Sequence, residues 1–262
     1  MKYFKEIGAY FLMLGQVFSR PTKPSVMREL IFKEIEELIL NSLGIVIFIS
    51  FFVGGVVSIQ TALNINSPLI PEMLVGYATR QSVILEFAPT FISIIMAGKI
   101  GSFITSSIGS MRVTEQIDAL EVMGINSLNY LVFPKIIALL LYPFIIGMSM
   151  FLGIFGGWVA SVYGGFTSST TFIEGVQSDF VSFHLTYAFI KTLVFAFILA
   201  TIPSFQGYYM KGGALEVGKA STYSFVWTSV IIILANYVIT TLLLSWWSGL
   251  TSYISPLVQL PS

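Results

Sequence analysis

Hydrophobic and polar residues are segregated along this chain. Five long runs, at about residues 38–63, 84–104, 131–162, 186–203 and 225–247, carry few charges, and polar segments separate them. A helix needs about 20 apolar residues to cross a bilayer, so each run predicts a membrane span. The third run is long enough to tilt or break, with Pro134 and Pro143 as its natural kink points. Before the first run, Leu30, Ile31, Ile35 and Leu38 recur at helical spacing among Arg28, Glu29, Lys33, Glu34, Glu36 and Glu37. That pattern predicts a helix over about 26–38, either lying in the membrane interface or capping the span as a soluble helix. The first residues place Lys2 and Lys5 around a modest apolar stretch, with no small-residue cleavage site after it. They read as a surface segment of the mature protein, with a signal peptide as the other reading. No repeat is visible, and residues 1–262 are expected to form one all-α, polytopic membrane domain.

The most informative polar segment lies at about 106–128. Arg112, Glu115, Asp118 and Glu121 fall together there, between two of the longest apolar runs. Charges so grouped predict a helix in water. Thr114 is placed to cap it, Val113, Ile117, Leu120 and Met123 form an apolar stripe, and Gly124 is a stop. These residues alone are equally compatible with a docking helix and with a solvated helix resting on the membrane. Lys and Arg give the orientation. Lys2, Lys5, Arg20, Lys23, Arg28, Lys33, Lys99, Arg112, Lys135, Lys211 and Lys219 fall on one side of a five-span model; the other side has Arg80. The positive-inside rule then puts the N-terminus, the 106–128 segment and the 205–222 loop in the cytoplasm, and the C-terminus outside.

Composition narrows the class. Only 10% of the 262 residues are charged and 55% are hydrophobic, against roughly 25% charged in ordinary globular domains. No basic face points to nucleic acid. There is no Cys and a single His, His184, so thiolate chemistry and a His-built metal site are excluded. Gly98-Lys99 is not a phosphate-binding loop, because Ser93 stands where that loop needs Gly and Ile100 where it needs Ser or Thr. Glu86, at the outer end of the second span, is a functional candidate because a carboxylate at membrane depth is costly, although it could simply face water at the interface. Lys191, inside the fourth span, is expected to snorkel to the outer head groups. Gly153, Gly157, Ser161 and Gly165 recur every fourth residue and predict close helix packing, as do Ser50, Gly54 and Ser58 in the first span. Both stripes read as packing within one subunit, with a dimer seam along the first span as the other reading. The many Phe and Met residues could line an apolar cavity.

The string MRVTEQIDALEVMG at 111–124 closely resembles the signature of MlaE-type permeases, the membrane subunits of lipid ABC transporters associated with MCE-domain proteins. AGKIGS at 97–102, GYY at 207–209, GGA at 212–214 and VGKAST at 217–222 agree with it, and the resemblance runs in order from about residue 29 to 244. It implies an N-terminal interfacial helix, five transmembrane helices and a cytoplasmic coupling helix. It makes Arg112, Glu115, Asp118 and Glu121 contacts for a separate ABC ATPase, which would hold the ATP and Mg, leaving no cofactor in this chain. Glu86 would lie near the lipid path; the family often has a basic residue just before it, where this chain has Leu85. The expected assembly is a homodimer in the bacterial inner membrane with the ATPase and an MCE-domain periplasmic lipid-binding protein, moving phospholipid between membranes. The rival functions are an intramembrane enzyme built on Ser102 near Lys99, and a passive channel or scaffold. The rivals separate experimentally: Ser102→Ala should leave a transporter's lipid transfer unchanged, whereas an enzyme of that kind would lose its activity.

Overall fold

A computed structural model describes residues 2–19, 21–65 and 71–258. Its described residues are helices and connections. In chain order they are α1 (Lys2–Val17), α2 (Pro24–Asn64), α3 (Met73–Val113), α4 (Gln116–Val122), α5 (Ser127–Tyr163), α6 (Ser169–Gln177), α7 (Phe183–Tyr208) and α8 (Ala214–Val258). Five of these, α2, α3, α5, α7 and α8, are long and apolar enough to cross a membrane. The short helices α4 and α6 lie in the connections on opposite sides of α5.

The interfacial helix expected over 26–38 is the first part of α2, with no break before the span. The helix instead changes its hydrogen-bonding register, through a π turn at Ile35–Ile39 and a tighter turn at Leu40–Ser42. Such changes leave main-chain carbonyls without their usual donors. Here Ser42 Oγ donates to Leu38 O at 2.7 Å, and the Lys99 ammonium donates to Asn41 O. Similar π turns interrupt α3 at Val83–Phe91, around Pro89, and at Ala97–Gly101. In α5, Pro134 sits inside continuous helix, while the ladder breaks at Leu140 and Leu141, just before Pro143. A proline is tolerated in the first turn of a new helix segment, where its missing N–H costs nothing.

The core is densest where α2 crosses α5. A Cβ on Gly54 would lie 1.9 Å from Gly153 O, and one on Gly156 would lie 2.0 Å from Phe51 O. Backbones this close exclude side chains on both faces, which gains dispersion contact where no hydrophobic force draws the helices together. Ser50 and Ser149 hydrogen-bond across the same seam at 2.7 Å. Ser50, Gly54 and Ser58 are all buried against α5, so this stripe is used within the subunit. Gly157 and the buried Ser161 continue the α5 side, and Ser161 Oγ meets Thr167 Oγ1 at 3.0 Å. Gly165 does not. It has φ +73° with open space around a Cβ, so it serves the turn after α5 rather than a helix contact.

Helix α1 is a surface segment that is firmly seated. Met13 and Val17 are fully buried, Tyr10 OH meets Thr201 Oγ1 at 2.7 Å, and Asn129 Nδ2 donates to Val17 O at 2.7 Å. Its other face, with Phe4, Ile7, Phe11 and Leu12, is exposed and apolar. Helix α8 is the least covered span: 11% of its most apolar stretch is buried, against 61% for α7. Its outer face is therefore left to lipid or to another chain.

The glycines separate in a simple experiment. Gly54→Val should cost about 3 kcal/mol or prevent folding, because the obstruction is main chain that cannot yield. Gly165→Ala should cost about 1 kcal/mol, from left-handed backbone alone. Thermal unfolding in detergent would rank them in that order.

Candidate functional site

Two groups of polar side chains stand out against this apolar scaffold. The first surrounds α4. Helix α3 ends at Val113, and Thr114 Oγ1 donates back to Ser110 O at 2.9 Å. Thr114 thus finishes α3 and does not cap the next helix, contrary to the sequence expectation. Glu115 takes the N-cap position in the left-handed conformation, with φ 58°, and its side chain makes no capping bond. A non-glycine residue there is strained, and the reversal it makes folds α4 back against the end of α3. At the other end, Gly124 at φ +74° lets Ile125 N reach Leu120 O at 3.0 Å and Gly124 N reach Glu121 O at 2.9 Å. This is the double bond of a Schellman stop, at the glycine the sequence singles out.

Three of the four charges are braced internally. Arg112 pairs with Asp118 at 2.8 Å, and its guanidinium lies 5.7 Å from the Tyr208 ring centroid. Glu121 accepts from Tyr208 OH at 2.9 Å and from Ser127 Oγ at 3.0 Å. The charges therefore tie α4 to α3, α5 and α7. Burial pushes the neighbouring Tyr209 phenol above its usual pKa, with Arg112 opposing. Glu115 is exposed and makes no side-chain hydrogen bond or ion pair. Of the apolar stripe, Ile117 is fully buried and Leu120 half-buried, but Met123 is 65% exposed, and beside it Val122 is 89% exposed. The sequence stripe did not mark Val122. The tip of α4 thus presents two bare apolar side chains on a rigidly held turn.

The second group lies within the membrane-spanning helices. The π turn around Pro89, which has no N–H, disturbs the regular main-chain ladder of α3. Within that turn the ammonium of Lys191, on α7, donates to the Leu85 carbonyl at 3.0 Å. It also donates to Glu86 Oε1 at 2.9 Å and Tyr187 OH at 2.7 Å. All three of its N–H groups are then used. The expectation that Lys191 snorkels outward fails: its side chain is 0% exposed, while that of Glu86 is 45% exposed. A buried ammonium with three acceptors at hand has no reason to seek water. On α8, Asn236 Nδ2 donates to Glu86 Oε2 at 3.1 Å, and Thr240 Oγ1 meets Tyr187 OH at 2.7 Å. Thr90 Oγ1 lies 3.2 Å from Glu86 Oε2 and 3.0 Å from Asn236 Oδ1. One ion pair therefore joins α3, α7 and α8. The basic partner that Leu85 cannot supply in sequence arrives in space from Lys191.

Arg80 is a residue that sequence reasoning missed. It is buried, and its guanidinium donates to Val176 O, Ser178 O and Asp179 O at 2.7, 2.6 and 3.3 Å. It caps the C-terminal end of α6, where free carbonyls favour a cation. No hydrogen bond joins Ser102 to Lys99, whose ammonium donates to the Asn41 carbonyl.

Comparison with known proteins places this architecture. The family model described as "Permease MlaE" matches residues 31–242, which takes in α4 and both members of the Glu86–Lys191 pair. The chain belongs to the MlaE permease family. It is 31% identical over 239 residues to a probable ABC transporter permease protein of Rickettsia bellii, covering 91% of this chain and 92% of the relative. A probable ABC transporter permease of Synechocystis is 31% identical over 242 residues, 92% of each chain. The intermembrane phospholipid transport system permease protein MlaE of Haemophilus influenzae is 26% identical over 246 residues, 92% of this chain and 93% of that one. This MlaE-family chain is thus a multi-pass membrane permease.

The ion pair makes a specific prediction about stability. Lys191→Met should destabilise the protein more than Glu86→Gln, because it strands the Leu85 carbonyl as well as the carboxylate. The double variant should recover part of the Lys191→Met loss, read as melting temperature in detergent.

Proposed function

We propose that this chain is the membrane subunit of an ABC transporter that moves phospholipid between the inner and outer membranes of a bacterium. Two copies form the membrane core, and a separate ATPase subunit, which holds ATP and Mg, docks on α4 in the cytoplasm. The orientation follows from the Lys and Arg distribution. The observation that carries the reading is the tip of α4, where Val122 and Met123 are bare on a turn braced by Arg112, Asp118 and Glu121. An exposed apolar pair on a rigid projection fits a groove on a partner, and the charges around it set register more than affinity. Arg112 and Asp118 are partly exposed and remain within reach of that partner, as does Glu115.

Rigidity is what the coupling needs. Movement of the ATPase shifts an equilibrium between two arrangements of the spans only if α4 transmits force without yielding. The braces connect it to α3, α5 and α7 at once. Within the membrane, Glu86 is the lipid-path candidate: its carboxylate is half-exposed while its basic partner is sealed away. The lightly covered α8 supports a dimer partner on its outer face. An MCE-domain protein on the opposite side would pass the lipid on.

The test is association. Val122→Asp combined with Met123→Asp should lower recovery of the ATPase with this chain by about tenfold or more, with insertion and melting temperature unchanged. Undiminished ATPase recovery would overturn the docking role of α4. Glu121→Lys is a less clean probe, since it also breaks the bonds to Tyr208 and Ser127, and should lower the melting temperature as well.

A further inference from the structure

The register change in α2 leaves a cavity at the end of the bundle that carries α4, with none of its lining residues shared with the Glu86–Lys191 pair. Its volume is about 440 Å³, and it is lined by Glu37, Leu38, Asn41, Ser42, Lys99 and Phe103, with Ile100. That is within the range of small-molecule sites. Leu38 and Ile100 are almost fully buried, while Phe103 is exposed. Two opposite charges line the same space without pairing. The Lys99 ammonium donates to one main-chain carbonyl, Asn41 O, and forms no ion pair. The Glu37 carboxylate, half-buried, has neither a hydrogen bond nor an ion pair. Three ion pairs do form at this end, Lys135 with Glu34, Arg112 with Asp118 and Lys219 with Glu216, and neither Lys99 nor Glu37 is in one.

An ammonium has three donors and a carboxylate about four acceptor sites, so both groups here keep most of their capacity. Opposite charges held apart across a small cavity favour an occupant that carries both signs. The geometry points to a binding site for a zwitterionic aminophospholipid head group, its phosphate on Lys99 and its ammonium on Glu37. The membrane setting supplies the rest. The exposed Phe103 ring is placed to meet the glycerol and first acyl methylenes, while Leu38 and Ile100 offer no polar competitor. A phosphate takes charge-assisted bonds from the ammonium, and the carboxylate repels a purely anionic head group. The site is separate from the one proposed around Glu86 and does not depend on the direction or existence of transport.

Site-specific crosslinking tests it. The full chain carrying Phe103→p-benzoylphenylalanine is placed in nanodiscs of equal phosphatidylethanolamine and phosphatidylglycerol, irradiated, and the captured lipid is identified by mass. Phosphatidylethanolamine should exceed phosphatidylglycerol by about fivefold. Glu37→Gln should erase that preference by admitting phosphatidylglycerol. This carboxylate has no bond to lose, so folding is preserved. Lys99→Gln should lower capture of both lipids severalfold, with Lys99→Arg restoring it. Soluble glycerophosphoethanolamine should not compete, and competition by it would overturn the assignment to a lipid. Equal capture of the two lipids, or a ratio that Glu37→Gln leaves unmoved, would overturn the site. None of these readouts involves Glu86, so failure here is distinguishable from failure of the transport reading.

Discussion

Hydrocarbon cannot solvate a peptide carbonyl, and this constraint organises the polar chemistry of the bundle. At several places where a helix departs from regular bonding, a side chain donates to a main-chain oxygen there. In the π turn around Pro89, Lys191 donates to Leu85 O at 3.0 Å. The register change before the first span leaves Asn41 O to Lys99. The end of α6 offers its carbonyls to Arg80. Hydroxyls handle smaller departures, as Ser93 Oγ does at Pro89 O and Thr114 Oγ1 at Ser110 O. Three basic residues that look like stray charges in an apolar sequence are thus bound to irregular backbone. Replacing any of them would strand a carbonyl as well as remove a charge.

The same constraint explains the unequal distribution of packing. Helices α2 and α5 approach until main chain touches main chain, with Gly54, Gly153 and Gly156 giving the room. That contact is strong because it admits no rearrangement. Helix α8 is bound differently. Its outer face is bare, and its polar link to the bundle runs through Asn236 and Thr240 to the Glu86–Lys191 pair. Hydrogen bonds of this kind are directional and exchangeable, whereas a glycine seam is not. A part of the molecule that must change position is better held by the first than by the second.

At the other end, α4 shows how charges can stiffen a projection. A short helix of this length would not hold its shape in water alone. Glu115 in the left-handed region and Gly124 at the Schellman stop fix both of its ends, and Arg112, Asp118 and Glu121 pin its body to neighbouring helices. What stays bare at its tip is mainly apolar, Val122 and Met123, with the exposed Glu115 at the other end of the helix. The charged motif that makes the segment conspicuous is in large part its internal frame.

Much of this was legible in the chain itself. Apolar length alone gives five spans, because bilayer thickness sets one scale for all of them. The four-residue spacing of Gly153, Gly157 and Ser161 gives a close contact, since helix geometry puts those residues on one face. Gly124 gives a stop, because few other residues accept its φ. Partners were not legible. Lys191 reads as an outward-reaching lysine until the fold brings Leu85 O, Glu86 and Tyr187 around it from two other positions on the chain. Gly165 shares the spacing of the packing glycines but falls beyond the end of α5, and only the course of the chain shows that. Thr114 fits a cap by type, yet the reversal at Glu115 leaves it to the preceding helix. The sequence by itself determined which segments enter the membrane and which stay out, because transfer between water and hydrocarbon depends on local composition. Which charges are spent inside and which face outward was decided only by tertiary structure, because a hydrogen bond depends on distance in space.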